Sequence, residues 1–72
     1  MERYANRSGN SPITYYQKEE DKVIVWFKGN SKAYTYSYRK AGKNHVETMK
    51  TLARNGLGLS ANITRNVKFD YD

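Results

Sequence analysis

The side chains that could do chemistry in this 72-residue chain are cations spaced around a few aromatic rings. Lysine and arginine neutralise phosphates, and aromatic rings stack on nucleobases. This combination predicts a nucleic-acid-binding surface. The candidate binding residues are Trp26, Lys28, Lys32, Arg39, Lys40, Lys43 and Arg65, with Tyr34 and Tyr36 as secondary candidates.

The charge balance favours the same class of partner. Thirteen Lys and Arg against seven Asp and Glu give a net charge of +6, which attracts RNA or another polyanion. Two alternatives stay open. One is a protein-interaction module, for example a phage-encoded inhibitor of a host or defence protein. The other is a nucleotide binder formed at a dimer interface. We expect a monomer or a homodimer.

The residues that usually carry catalysis are missing or isolated. The chain has no cysteine, and its one histidine, His45, has no acid placed to orient it. The carboxylates of residues 19–21 fall in a tight turn, where they are typical of a solvated loop and not of a metal site. Gly56 and Gly58 lack the third glycine of a dinucleotide-binding motif. The sequence therefore predicts no enzymatic activity, no metal and no cofactor.

One small domain must position the binding residues, because 72 residues leave no room for a second core. Residues 1–11 lack periodicity and predict a flexible or loosely docked N-terminal arm, so that residues 12–72 form the domain. No apolar run approaches the ~18 residues that span a bilayer, and the N-terminal segment is polar. We therefore expect a cytoplasmic protein with no membrane partner.

Hydrophobic alternation and turn residues predict an α+β fold, in which a small three-stranded antiparallel sheet packs on one helix. The predicted strands are residues 13–17, 22–28 and 33–38, and the predicted helix is residues 45–55. Asn44 and Glu47 have the spacing of a capping box, and Gly56 is the expected C-cap, with Leu57 folded back on the last turn. Beyond it we expect a second short helix from Ser60, or an edge strand over residues 67–71.

The pairing of the second and third predicted strands decides which aromatic rings face the core. A two- or four-residue loop predicts the pairs Phe27 with Tyr34, Val25 with Tyr36 and Val23 with Tyr38. This register places the tyrosines with the aliphatic residues of the core and leaves Trp26 on the opposite, solvent-facing side. A one-residue bulge in the hairpin would reverse the assignment. The two groups of cations then lie at opposite ends of the sheet, and a phosphate backbone could follow the surface between them.

Short motifs along most of the chain resemble the KTSC domain, a family of short bacterial and phage-associated domains found at the C-terminus of some lysyl-tRNA synthetases. The residues that carry the resemblance are Ser11-Pro12-Ile13, Tyr16, Val23-Ile24-Val25-Trp26-Phe27, Gly29, Tyr34-Thr35-Tyr36 and Gly58-Leu59-Ser60-Ala61-Asn62. The chain departs from the family by its basic loop, residues 39–43. The resemblance implies a three-stranded sheet with one helix and a role in RNA binding.

Overall fold

The computed structural model describes residues 1–72 and has an α+β fold. Its four strands are β1 (Glu2–Arg3), β2 (Ile13–Lys18), β3 (Lys22–Phe27) and β4 (Ala33–Ser37), which form one antiparallel sheet in the order β1-β2-β3-β4. Two helices follow, α1 (Lys43–Asn55) and α2 (Leu59–Asn62), and α2 continues into a π-helical turn, Ile63–Val67. The α+β class is confirmed, with one strand more than the three that we predicted.

The β3–β4 hairpin has the predicted faces but a longer loop. Trp26 pairs with Ala33, Val25 with Tyr34 and Val23 with Tyr36, so the register differs from the predicted one by two residues. A shift of two leaves every side chain on its face, because side chains alternate with period two. Asn30 makes the longer loop possible, since its N–H donates to the Phe27 carbonyl and its side chain accepts from Lys32 N–H at 2.9 Å.

The core lies between one face of the sheet and the two helices. Val23, Val25 and Tyr36 are buried on that face, and α1 packs against them with Val46 and Met49. The remaining buried hydrophobic residues are Tyr4, Ile13, Tyr16, Ala41, Ala53, Leu59, Ile63 and Val67. This arrangement buries a single face of the sheet.

The C-terminal end of α1 lies where we predicted it, whereas the N-terminal end does not. Gly56 ends the helix in the left-handed conformation, and its N–H donates to the carbonyls of Leu52 and Ala53. The predicted capping box is wrong. The helix begins earlier, with Gly42 as N-cap and no side-chain cap. Glu47 does not reach back to the helix start, and it accepts a hydrogen bond from the Tyr38 hydroxyl instead.

The N-terminal segment, for which we predicted a flexible or loosely docked arm, contacts both the sheet and the helical layer. Glu2 and Arg3 pair with Tyr16 and Tyr15 of β2, and Tyr4 is only 3% exposed. The Tyr4 hydroxyl accepts a hydrogen bond from the Leu59 N–H at 3.3 Å. One buried ring therefore anchors an otherwise polar segment to both layers of the fold.

The C-terminal segment forms the short helix and not the edge strand. The buried residues Leu59, Ile63 and Val67 all face the core from α2 and the π-helical turn. Beyond Val67 the chain has no strand, but Asp72 bonds to the edge of β4: its N–H donates to the Thr35 carbonyl at 2.7 Å, and its carboxylate accepts from the Ser37 hydroxyl at 2.8 Å. No helix in this fold combines the length and apolar character that crossing a bilayer requires.

Candidate nucleic-acid interface

The face of the sheet opposite α1 carries a row of side chains that crosses all four strands. Arg3 pairs with Tyr15, Tyr15 with Trp26, and Trp26 with Ala33. A second row on the same face joins Gln17, Ile24 and Thr35. We call these seven residues the outer face. None of them belongs to the buried core.

Tyr15 and Trp26 lie side by side at the middle of the outer face. Both terminal segments lie at the edges of the sheet: β1 extends it beside β2, and Asp72 bonds to β4. Neither terminal segment therefore crosses over Trp26. Trp26 is partly exposed and Tyr15 is 40% exposed. Cross-strand neighbours have Cβ atoms about 5 Å apart, so the two side chains leave the sheet next to each other on this face.

A bulge in β2 is what brings Tyr15 to this face. The register of β2 against β3 shifts between Ile13 and Tyr15, so that Ile13 and Tyr16 are both buried while Tyr15 points outward. A bulge inserts one unpaired residue and resets the alternation of a strand. Tyr15 and Arg3 are site residues that sequence reasoning missed, because strict alternation from Ile13 would place Tyr15 in the core.

The β3–β4 loop supplies cations at one end of the sheet. Lys28 continues the alternation of Ile24 and Trp26, and its N–H donates to the Pro12 carbonyl at 2.6 Å. Lys32 turns towards the other side of the sheet, where its Nζ lies 5.1 Å from the Tyr34 ring centre and 5.4 Å from that of Tyr71. The two lysines are exposed, so this loop presents positive charge to both faces.

The second group of predicted site residues, Arg39, Lys40 and Lys43, lies at the far end of β4. The five residues of β4 span roughly 17 Å, so the structure does not bring these cations together with Lys28 and Lys32. The acidic β2–β3 turn is their neighbour, because the Tyr38 N–H donates to the Asp21 carbonyl. These carboxylates offset part of the charge of the basic loop.

The remaining predicted site residues lie outside the outer face. Arg65 is exposed on the π-helical turn, which belongs to the helical layer. Tyr36 is 2% exposed and Tyr34 is half-buried, both on the core side of β4. No group of three His, Asp or Glu side chains is placed to hold a metal ion.

A cluster of rings surrounds Tyr36 and changes its acidity. Tyr71 packs edge-on against Tyr36 at 6.2 Å and against Tyr34 at 4.9 Å between ring centres. Burial raises the pKa of Tyr36 from its ordinary 10.0 to about 12, with smaller contributions from Tyr71 and Tyr34. The neutral phenol is therefore the form that the fold accommodates.

We expect this shift in pKa to make the fold less stable in alkali. Below pH 10 Tyr36 is protonated in both the folded and the unfolded chain, and its contribution to stability is constant. Between pH 10 and about 12 the unfolded chain releases the proton first, so the free energy of unfolding falls. Urea unfolding at pH 8 and pH 11 measures the loss. Tyr36→Phe should show a smaller loss, and an equal loss in both proteins would contradict the assignment.

Comparison with known protein families gives no match, and no curated protein and no solved structure matches this chain. The resemblance to the KTSC domain therefore stays a prediction. The side chains of the sheet nevertheless form a defined arrangement. In that arrangement the outer face unites Trp26 with Tyr15 and Arg3, next to Lys28.

Proposed function

We propose that this chain binds single-stranded RNA through the outer face of its sheet. The observation that carries the proposal is the pairing of Tyr15 with Trp26 on the face that the helices leave uncovered. An open sheet with exposed aromatic rings is a recurrent platform for unstacked bases, and each stacked base contributes roughly 1–3 kcal/mol. Arg3 and Lys28 flank the two rings and are suited to contact the neighbouring phosphates.

The availability of positive charge supports an anionic ligand. Of the 13 Lys and Arg side chains, only Lys50 forms an ion pair, with Glu47 at 2.9 Å. The other twelve form no ion pair, and Arg3 and Lys28 are both exposed, so their charges are open to phosphates. Neutralising phosphates releases counterions, which makes affinity depend on salt. A protein ligand for the same face would need neither base stacking nor this steep dependence.

The single tryptophan gives a direct test of the proposal. We expect an RNA of about eight nucleotides, within the usual range for small sheet domains, to quench the Trp26 emission by stacking on it. Three phosphate contacts would weaken binding about 20-fold between about 50 and about 200 mM salt. Emission that stays unchanged at high RNA concentration, or binding that ignores salt, would contradict RNA binding by this face.

Variants of the outer face sharpen the test. Tyr15→Ala should weaken RNA binding roughly 5- to 150-fold, the value of one stacked base. Leu57→Ala is the matched control, because Leu57 is also an exposed large apolar residue, at 51%, but it lies after α1 and not on the sheet. Arg3→Gln should flatten the salt dependence, whereas Arg54→Gln, which removes an exposed charge from the end of α1, should leave it nearly unchanged.

A further inference from the structure

A groove runs along the core side of β4, where the end of the sheet meets the π-helical turn. Its volume is about 330 Å³, at the lower end of the range for small-molecule sites, roughly 300–1,000 Å³. Five aromatic rings line it, those of Phe27, Tyr34, Tyr36, Phe69 and Tyr71. We call this site the aromatic groove.

The rings of the aromatic groove differ in how much of their surface is already used. Phe27, Tyr34 and Tyr71 pack edge to face, with centres 5.3 Å and 4.9 Å apart. Phe69 takes no part in these ring pairs and is 76% exposed. A large apolar ring left in water at the wall of a groove is unusual on a small monomer and indicates a contact site. The free ring face of Phe69 is a surface on which a flat ligand can stack.

Lysines flank the aromatic groove on two sides, and the nearest acid outside its lining is Asp70, whose charge helps to raise the pKa of Tyr36. Lys68 lines it, with its Nζ 5.3 Å from the Phe69 ring centre, and Lys32 lies over Tyr34 and Tyr71 on the other side. None of the lining residues carries a carboxylate. Asn30, Ser60 and Thr64 add hydrogen-bonding groups to the wall. The site therefore suits a ligand that joins a planar ring to an anionic group.

We propose that the aromatic groove binds one nucleotide, with its base on Phe69 and its phosphate between Lys32 and Lys68. This inference rests on the proposed function, since that nucleotide belongs to the strand that binds the outer face. The β3–β4 loop connects the two sites: Lys28 is on the side of Trp26, and Lys32 is on the side of the groove. A volume near 330 Å³ is enough for a ligand of about the size of one nucleotide.

Nuclear magnetic resonance titrations with AMP, adenosine and inorganic phosphate test the groove separately from the outer face. We expect AMP to shift the backbone amides of residues 30–34 and 60–69 in a saturable way, and to bind more tightly than adenosine or phosphate alone. Phe69→Ala should weaken AMP binding about tenfold. Because Phe69 is exposed, this variant keeps its core, and Leu57→Ala should bind AMP as the wild type does.

The two proposals fail in different ways. RNA should still quench Trp26 in Phe69→Ala, because that ring lies on the helical side of the sheet. If RNA quenches Trp26 but AMP leaves the groove amides unmoved, or if Phe69→Ala binds AMP normally, the groove proposal is overturned and RNA binding by the outer face stands. If AMP binds at the groove but RNA does not quench Trp26, the proposed function fails instead. Equal affinity for adenosine and AMP would overturn the role of Lys32 and Lys68.

Discussion

Tyr4→Ala is expected to leave most of the protein unfolded at room temperature. Removing a large buried aromatic side chain costs about 3–5 kcal/mol, and the core of a domain of this size rarely supplies more than about 3–5 kcal/mol in net stability. Tyr4 is 3% exposed and packs edge-on against Tyr16, with ring centres 6.5 Å apart. The substitution also leaves the Leu59 N–H without its partner. The loss should therefore reach both the sheet and α2.

Urea unfolding followed by circular dichroism measures this effect, and two variants interpret it. Tyr15→Ala is the matched control, because it removes the same side chain from the exposed side of β2 and should change the free energy of unfolding by less than about 1 kcal/mol. Tyr4→Phe keeps the ring and removes only the hydrogen bond, which should cost about 1 kcal/mol. Similar unfolding midpoints for Tyr4→Ala and Tyr15→Ala would show that the N-terminal segment is not docked.

The elements that sequence reasoning predicted well are those whose pattern is local. Residues 22–28 combine β-branched and aromatic side chains, and β3 covers residues 22–27. Gly56 ends α1 as predicted, because a left-handed C-cap is set by one residue and its immediate neighbours. The face of Trp26 also followed from local information, since the parity of a hairpin loop is enough to assign faces even when its length is wrong.

The features that sequence reasoning missed depend on contacts between distant segments. Nothing near Tyr4 in the chain predicts that this segment forms β1. The contacts that hold Tyr4 are made with Tyr16 and Leu59, which are distant in the sequence. Leu57 remains exposed instead of folding back on α1. Periodicity reports on a residue and its near neighbours, whereas these positions are decided by tertiary packing.

The candidate site was predictable only in part for the same reason. Trp26, Lys28 and Lys32 come from one hairpin, so their neighbourhood could be worked out from the sequence. The aromatic groove draws Phe27 from β3, Tyr34 from β4 and Phe69 from beyond the helices. The groove exists because the chain turns after Val67 and brings Phe69 and Tyr71 to the sheet. The sequence left this segment open, since it predicted either a short helix from Ser60 or an edge strand over residues 67–71. The outer face and the aromatic groove both reach the β3–β4 loop, and this loop connects the two proposed sites.

Gly56→Ala is expected to be the most damaging of the glycine substitutions, because two effects act at one position. Its φ of +74° is left-handed, a conformation that costs a residue with a Cβ about 1–2 kcal/mol. A Cβ at Gly56 would also lie 2.5 Å from the Cβ of Ala5, so the N-terminal segment would have to move. That segment is tied to the same place by the Arg7 N–H, which donates to the Gly56 carbonyl at 2.7 Å.

Gly9→Ala separates the two effects, because Gly9 has almost the same φ, +77°, and a methyl group added there would meet nothing within 4 Å. We expect Gly9→Ala to lower the melting temperature by about 4–8 °C, the effect of about 1 kcal/mol in a domain of this size. Gly56→Ala should lower it at least twice as far, since it adds the displacement of the N-terminal segment to the backbone strain. Equal melting temperatures for the two variants would mean that residues 4–7 leave the end of α1 at little cost. In that case β1, which precedes these residues, would be the weakest part of the sheet that carries the outer face.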